Sequence, residues 1–131
     1  MNANPREFGV KRKTIRVLIF PQGTSAPVWR SNGGVASVAR SDVGDYLVTL
    51  EDPYHKLVGY EVNTHVDALA TEAHAKLGPV ANVGTTSVVT ARVFVVDDKS
   101  AAVDLAADAN NSVSVALDFE DSKAAGAETD N

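Results

Sequence analysis

Residues 112–119 read SVSVALDF. Val113, Val115, Leu117 and Phe119 alternate with Ser112, Ser114, Ala116 and Asp118. A helix would scatter those four apolar residues onto two opposite sides, whereas a strand gathers them on one. Period-two alternation of apolar with small or polar residues marks a strand that is dry on one face and wet on the other. Asn110-Asn111 supplies the turn that leads into it.

The same reading extends outward along the chain. Thr85 to Val96 is dense in valine and threonine, the residues that suit a pleated, packed surface, and is the strongest strand expectation. Residues 14–20, TIRVLIF, place Ile15, Val17 and Ile19 on one face and Thr14, Arg16, Leu18 and Phe20 on the other. PQGTSAP at 21–27 breaks that strand with two prolines and a glycine. Val28 to Arg30 is a short extended piece, and Asn32-Gly33-Gly34 suits a tight turn. Val35 to Arg40 and Asp45 to Glu51 predict a hairpin around 41–44, with Tyr46, Val48 and Leu50 sharing one face. Leu57 to Val66 alternates imperfectly. Residues 67–77, DALATEAHAKL, tolerate a short helix, although packing can draw Ala73 to Leu77 into a strand. Gly78-Pro79 and Val83-Gly84 are breakers. Asp97-Asp98-Lys99 ends the valine-rich strand, and 103–109 is a loop or short edge piece.

Seven or eight short strands with turn signals every 8–12 residues predict an all-β fold: a jelly-roll-like antiparallel sandwich or a barrel. The expected organisation is a basic arm at 1–13, one β-domain at 14–121 and a flexible acidic tail at 122–131. Two strands are apolar on both faces. Leu18 and Phe20 oppose Ile15, Val17 and Ile19; Val88, Phe94 and Val96 oppose Val89, Ala91, Val93 and Val95. A sandwich strand normally wets one face, so either a long loop covers the second face or another subunit does. The second alternative is preferred here.

Composition narrows the chemistry. The chain of 131 residues has no cysteine, which excludes disulfides, zinc–thiolate sites and thiol catalysis. Its net charge of −5 argues against a general nucleic-acid binder. No run approaches the ~18 apolar residues of a membrane span, and Met1 to Phe8 lacks the apolar centre of a signal peptide. If the protein reaches an extracellular particle, the expectation is that it does so by assembly rather than by secretion. Charge is uneven: residues 1–16 hold Arg6, Lys11, Arg12, Lys13 and Arg16 against Glu7 alone, while 120–131 hold Glu120, Asp121, Glu128 and Asp130 against Lys123. These ends are either solvated or, for the basic one, a docking arm for an acidic partner.

No enzyme signature emerges. His55, His65 and His74 form no H-x-H or H-E-x-x-H pair, so no metal is expected. Asp97, Asp98, Asp104 and Asp108 lack calcium-loop spacing and read as turn residues. Gly33-Gly34 is a turn rather than a phosphate loop, and no G-x-S-x-G elbow occurs. Trp29, Tyr46, Tyr54 and Tyr60 are too scattered for a sugar or base platform, and Trp29 reads as a core or interface anchor. No catalytic residue and no cofactor are expected.

Three stretches carry a resemblance: FPQGTSAP at 20–27, GGVASVARSDVGDYLVTLEDPY at 33–54 and AADANNSVSVAL at 106–117. Together they resemble bacteriophage head decoration (cement) proteins with a tumour-necrosis-factor-like jelly roll, over most of residues 14–120. The resemblance implies a homotrimer on the outer capsid surface of a virion, bound to the major capsid protein, with neither nucleic acid nor membrane as partner. Under it, Arg6, Lys11, Arg12 and Lys13 are the expected capsid-binding residues. Leu18, Phe20, Val88, Phe94 and Val96 are the expected trimer contacts. The alternative is a receptor- or carbohydrate-binding head of a phage fibre or tail.

Overall fold

The computed structural model describes residues 12–66, 72–108 and 110–120. They form eight strands: β1 (Arg12–Gln22), β2 (Ser25–Ser31), β3 (Val35–Asp42), β4 (Asp45–Leu50), β5 (Lys56–His65), β6 (His74–Ala81), β7 (Thr90–Val96) and β8 (Ser112–Glu120). All pairings are antiparallel. The strands make two four-stranded sheets in the orders β2-β1-β8-β5 and β3-β4-β7-β6, so the expected all-β antiparallel sandwich is what the chain forms. β2 lies against β3 and β5 against β6, which brings the edges of the two sheets together along both sides of the sandwich.

The core is built by the period-two pattern. Ile15, Val17 and Ile19 of β1 meet Val113, Val115, Leu117 and Phe119 of β8 across the first sheet's inner face. Tyr46, Val48 and Leu50 of β4 and Ala91, Val93 and Val95 of β7 supply the second sheet's inner face. Each buried Val, Leu, Ile or Phe contributes roughly 1.5–3 kcal/mol of transfer free energy, so this layer dominates the stabilising side. Tyr54 stacks on Phe119, with ring centroids 4.6 Å apart, and closes one end of the core.

Turn chemistry is legible in the hairpins. Gln22 pairs with Ser25 around Gly23-Thr24, and Asp42 pairs with Asp45 around Val43-Gly44. Pro21 sits at an irregularity between Phe20 and Gln22, and Pro27 lies in edge strand β2, both places where a missing N–H breaks no ladder. The predicted break at 21–27 is therefore a two-residue turn between two strands.

Other boundaries also move. Of the two alternatives over 67–77, the strand holds at the C-terminal end, where His74 to Leu77 belong to β6, and the short helix does not form there; 67–71 lie outside the described residues. Ala75, Leu77 and Val80 pair with Val95, Val93 and Ala91 on the core side of β7, and burial there outweighs the helix propensity of alanine and leucine. Gly78-Pro79 does not break β6 but forms the register shift between Leu77 and Val80. The valine-rich strand begins at Thr90 rather than Thr85. Before it, Asn82 and Gly84 adopt positive φ, and residues 82–89 form a loop. β1 begins at Arg12, inside the expected arm, because Arg12 and Lys13 are held in register with Glu120 and Phe119. The acidic tail lies outside the described residues.

Candidate functional site

On the outer face of the first sheet, concavity, charge and apolar surface meet. The alternation that buries Val113, Val115 and Leu117 turns Ser112, Ser114 and Ala116 outward. Those side chains are small. In register they are flanked by Arg16 and Leu18 of β1 and by Glu61 and Asn63 of β5. Low residues between taller ones make a trough. It has a volume of about 400 Å³ and crosses the sheet from Arg30 and Asn32, over Arg16 and Leu18, to Ser114, Ala116 and Glu61. A second hollow of about 550 Å³ continues past Arg30 along Phe20, Val28 and Ala107 to Asp108.

Asn32 shapes one wall. Its Oδ1 accepts from the Arg16 N–H at 2.9 Å, and its Nδ2 donates to the Thr14 carbonyl at 3.1 Å. The side chain thus continues the β1 ladder beyond the end of β2. The Arg30 guanidinium lies 5.3 Å from the Phe20 ring centroid, a cation–π arrangement. Val28, 57% exposed, is the most open apolar residue on this face. Among the described residues, neither Arg16 nor Arg30 has a carboxylate partner. Arg40 and Arg92, by contrast, pair with Asp104 and Asp45.

The second sheet's outer face is more self-contained. Arg92 reaches Asp45 at 3.1 Å, bracketing Leu47. The Phe94 ring lies where a Cβ on Gly78 would be, 2.4 Å from its Cε2, so the glycine is the seat of the ring. Leu47, Phe94 and Val96 stay half-buried on the central strands β4 and β7.

One end of the sandwich carries an electrostatic clamp. Arg40 donates to Asp104 through Nε at 3.1 Å and through Nη2 at 2.7 Å, and the Gly44 N–H donates to Asp104 Oδ1 at 2.9 Å. The bond from Arg40 and the Gly44 N–H hold the Asp104 carboxyl below its ordinary value, against the opposing effect of burial. Burial pushes the neighbouring Tyr46 phenol up, and the Asp104 charge adds to this. Sequence reading took Asp104 for a turn residue. Only Asp97 and Asp108 act that way, accepting from the Lys99 and Ala101 N–H groups and from the Asn110 N–H.

The expected site residues are dispersed. Leu18 and Phe20 point out of the first sheet, and Phe94 and Val96 out of the second, so they occupy opposite faces and form no common patch. Val88, 38% exposed, sits in the loop before β7. Arg12 and Lys13 are both exposed at the start of β1, close to Lys56, which also pairs with Glu120; Arg6 and Lys11 lie outside the described residues. Trp29 pairs with Ile19 and packs half-buried against the core. His55, His65 and His74 lie before β5, at its end and at the start of β6. Among the described residues no three histidine or acidic side chains gather where a metal ion could sit, and no helix is long and apolar enough to cross a membrane. The trough was missed because its floor residues are unremarkable along the chain; the signal was their smallness, which gains meaning only beside Arg16 and Glu61. No protein-family model, no curated protein and no solved structure matches this chain.

Proposed function

We propose that this chain is a structural, non-catalytic binding module that decorates a phage head as a trimer and braces contacts between subunits of the major capsid protein. The observation that carries the reading is the half-buried apolar surface on the outside of the second sheet, where Leu47, Phe94 and Val96 lie on the two central strands. Apolar surface left half-covered on central strands supports a partner there. Phe94 and Val96 lie on one face and Leu18 and Phe20 on the other. A closed ring therefore sets one face of each copy against an edge of the next, since face-to-face stacking through both would grow an open filament. The resemblance along 20–27, 33–54 and 106–117 supports the virion setting. Exposed Arg12 and Lys13 at one end of β1 give the docking end its charge.

Light scattering coupled to size exclusion tests the assembly. A mass near three times 13.8 kDa is expected for the purified chain. A monomer at micromolar concentration sinks the trimer. The second reading, a receptor- or carbohydrate-binding fibre or tail head, draws on the trough of the first sheet. It predicts glycan-array binding by the isolated protein and no sedimentation with capsids.

A further inference from the structure

Asn32-Gly33 is the only Asn-Gly step in the chain. It stands where β2 leaves the first sheet for β3. An asparagine amide followed by glycine is unusually open to attack by its own backbone, because glycine puts no side chain in the way of the ring that forms. We propose that Asn32-Gly33 is a self-modification site: the fold locks its amide, the amide hydrolyses when the end of β2 parts from β1, and the lock cannot re-form afterwards. The proposal concerns one corner of the sandwich and does not depend on the decoration reading.

Both reacting groups are held. The nucleophile is the Gly33 nitrogen, and its N–H donates to Ser31 Oγ at 3.1 Å. The electrophile is Asn32 Cγ, and its amide is turned toward β1. Oδ1 accepts from the Arg16 N–H at 2.9 Å, and Nδ2 donates to the Thr14 carbonyl at 3.1 Å. The Asn32 N–H donates to the Arg16 carbonyl at 3.2 Å. Asn32 is exposed, so water reaches it, and hydrogen bonding rather than burial is the protection. Bringing Cγ to the Gly33 nitrogen breaks the two side-chain bonds that extend the β1–β2 ladder past its pair of Val17 with Ser31. Strand ends open more readily than the middle of a sheet. The turn itself needs glycine at 33. Its φ is 115°, yet a Cβ there would meet nothing within 4 Å, so the backbone angle and not the space selects it. The residue that makes the turn is the one that leaves Asn32 vulnerable.

In the opened corner the Gly33 nitrogen bonds to Asn32 Cγ. The Cγ–Nδ2 bond breaks, and Nδ2 leaves as ammonia with the proton from the Gly33 nitrogen. The product is a cyclic imide, which water opens. Addition at Cγ breaks its bond to the Gly33 nitrogen and leaves aspartate. Addition at the Asn32 main-chain carbonyl breaks the original peptide bond and leaves isoaspartate. Water enters and ammonia leaves, with no oxidant or reductant. Neither product restores the lock. A carboxylate has no proton for the Thr14 carbonyl and sets oxygen against oxygen there. Isoaspartate adds a carbon to the main chain just before Gly34, where a Cβ would already lie 2.5 Å from Ile15 Cδ1.

The test incubates the full chain at mildly alkaline pH and follows the tryptic peptide Ser31–Arg40 by mass spectrometry, since cleavage after Arg30 and Arg40 isolates the site. Conversion of Asn32 in the folded protein should be at least about tenfold slower than in the same chain held in urea. Ser31→Ala, which frees the Gly33 N–H, should raise the folded rate about threefold and leave the urea rate unchanged. Equal rates in the two conditions overturn the lock, and so does a folded rate unmoved by Ser31→Ala. Asn32→Asp stands in for the product. Its amides at Arg16 and at residue 32 should exchange hydrogen about tenfold faster than in the wild type, while the Val113 amide of β8 stays protected. Wild-type protection at Arg16 in that variant overturns the irreversibility.

Discussion

Asp104 joins β3 and the β3–β4 turn to the segment that follows β7, through one carboxylate. It accepts two bonds from Arg40 and one from the Gly44 N–H, with only 12% of its side chain exposed. A carboxyl held below its ordinary value in the folded state adds stability that is full above the ordinary aspartate value. That stability is lost as pH falls through the lowered folded-state value. Thermal melts across the acid range should therefore show Tm falling as the carboxyl protonates, and Asp104→Asn should flatten that part of the profile while lowering Tm at neutral pH. An unchanged acid limb in Asp104→Asn would assign the loss to other carboxylates. Gly44 beside it is a second pressure point. Gly23 and Gly44 both sit at positive φ, 63° and 60°, in two-residue turns. A Cβ on Gly23 meets nothing within 4 Å, whereas one on Gly44 would lie 2.4 Å from the Val95 carbonyl oxygen and 2.8 Å from that of Val103. Gly23→Ala should cost about 1–2 kcal/mol for the left-handed backbone alone. Gly44→Ala should cost about 1–3 kcal/mol more, because backbone rather than a movable side chain must give way. Urea unfolding of the two variants side by side measures the difference.

At the scale of elements, β8 is the member that holds the first sheet together. It pairs with β1 along eight positions and with β5 along nine, so both neighbours depend on it. Its own pattern, SVSVALDF, was enough to predict the strand and its dry face. Leu117 and Tyr60 are cross-strand partners, yet Leu117 is fully buried while Tyr60, on edge strand β5, is 62% exposed. Leu117→Ala should destabilise by about 2–5 kcal/mol through the lost methylenes and the cavity left behind. Tyr60→Ala should stay within about 1 kcal/mol, as a surface change does. Equal losses by chemical denaturation would mean that β5 is covered in solution. β6 teaches the opposite lesson. DALATEAHAKL has helix-tolerant composition, but β7 offers an open ladder and a core face to anything beside it. His74–Ala81 takes that place because paired backbone groups and the half-buried Ala75, Leu77 and Val80, packed against the core, outweigh a few tenths of a kcal/mol per residue of helix propensity.

The whole molecule is polarised by where its ends emerge. Arg12 pairs with Glu120, so the first and last described residues leave the sandwich together, at the end where Lys13 and Lys56 are also exposed. If that end faces an acidic capsid surface, alanine at Arg6, Lys11, Arg12 and Lys13 should weaken sedimentation with capsids. The wild-type interaction should also weaken with salt, since exposed charges are screened within a Debye length of about 8 Å. The mass of the variant should match that of the wild type. Undiminished capsid binding by the variant would remove the basic end from the docking surface.

The sequence by itself determined that this protein is all-β, built of short alternating strands, and left a sandwich and a barrel both open. Alternation is a local property: a strand's two faces are written into successive residues, and glycine, proline and Asn-Gly steps mark where the chain must turn. It also showed that Leu18, Phe20, Phe94 and Val96 were apolar residues on the second side of their strands. Only the tertiary structure decided that these residues face opposite ways, because which sheet a strand joins depends on contacts between segments far apart in the chain. The same holds for the trough and the Asp104 clamp. Ser114 and Ala116 become a floor only between Arg16 and Glu61, and Asp104 becomes a partner only beside Arg40, sixty-four residues earlier. Cross-strand register joins such residues, and register is set by the burial of a whole face at once, which no single segment encodes.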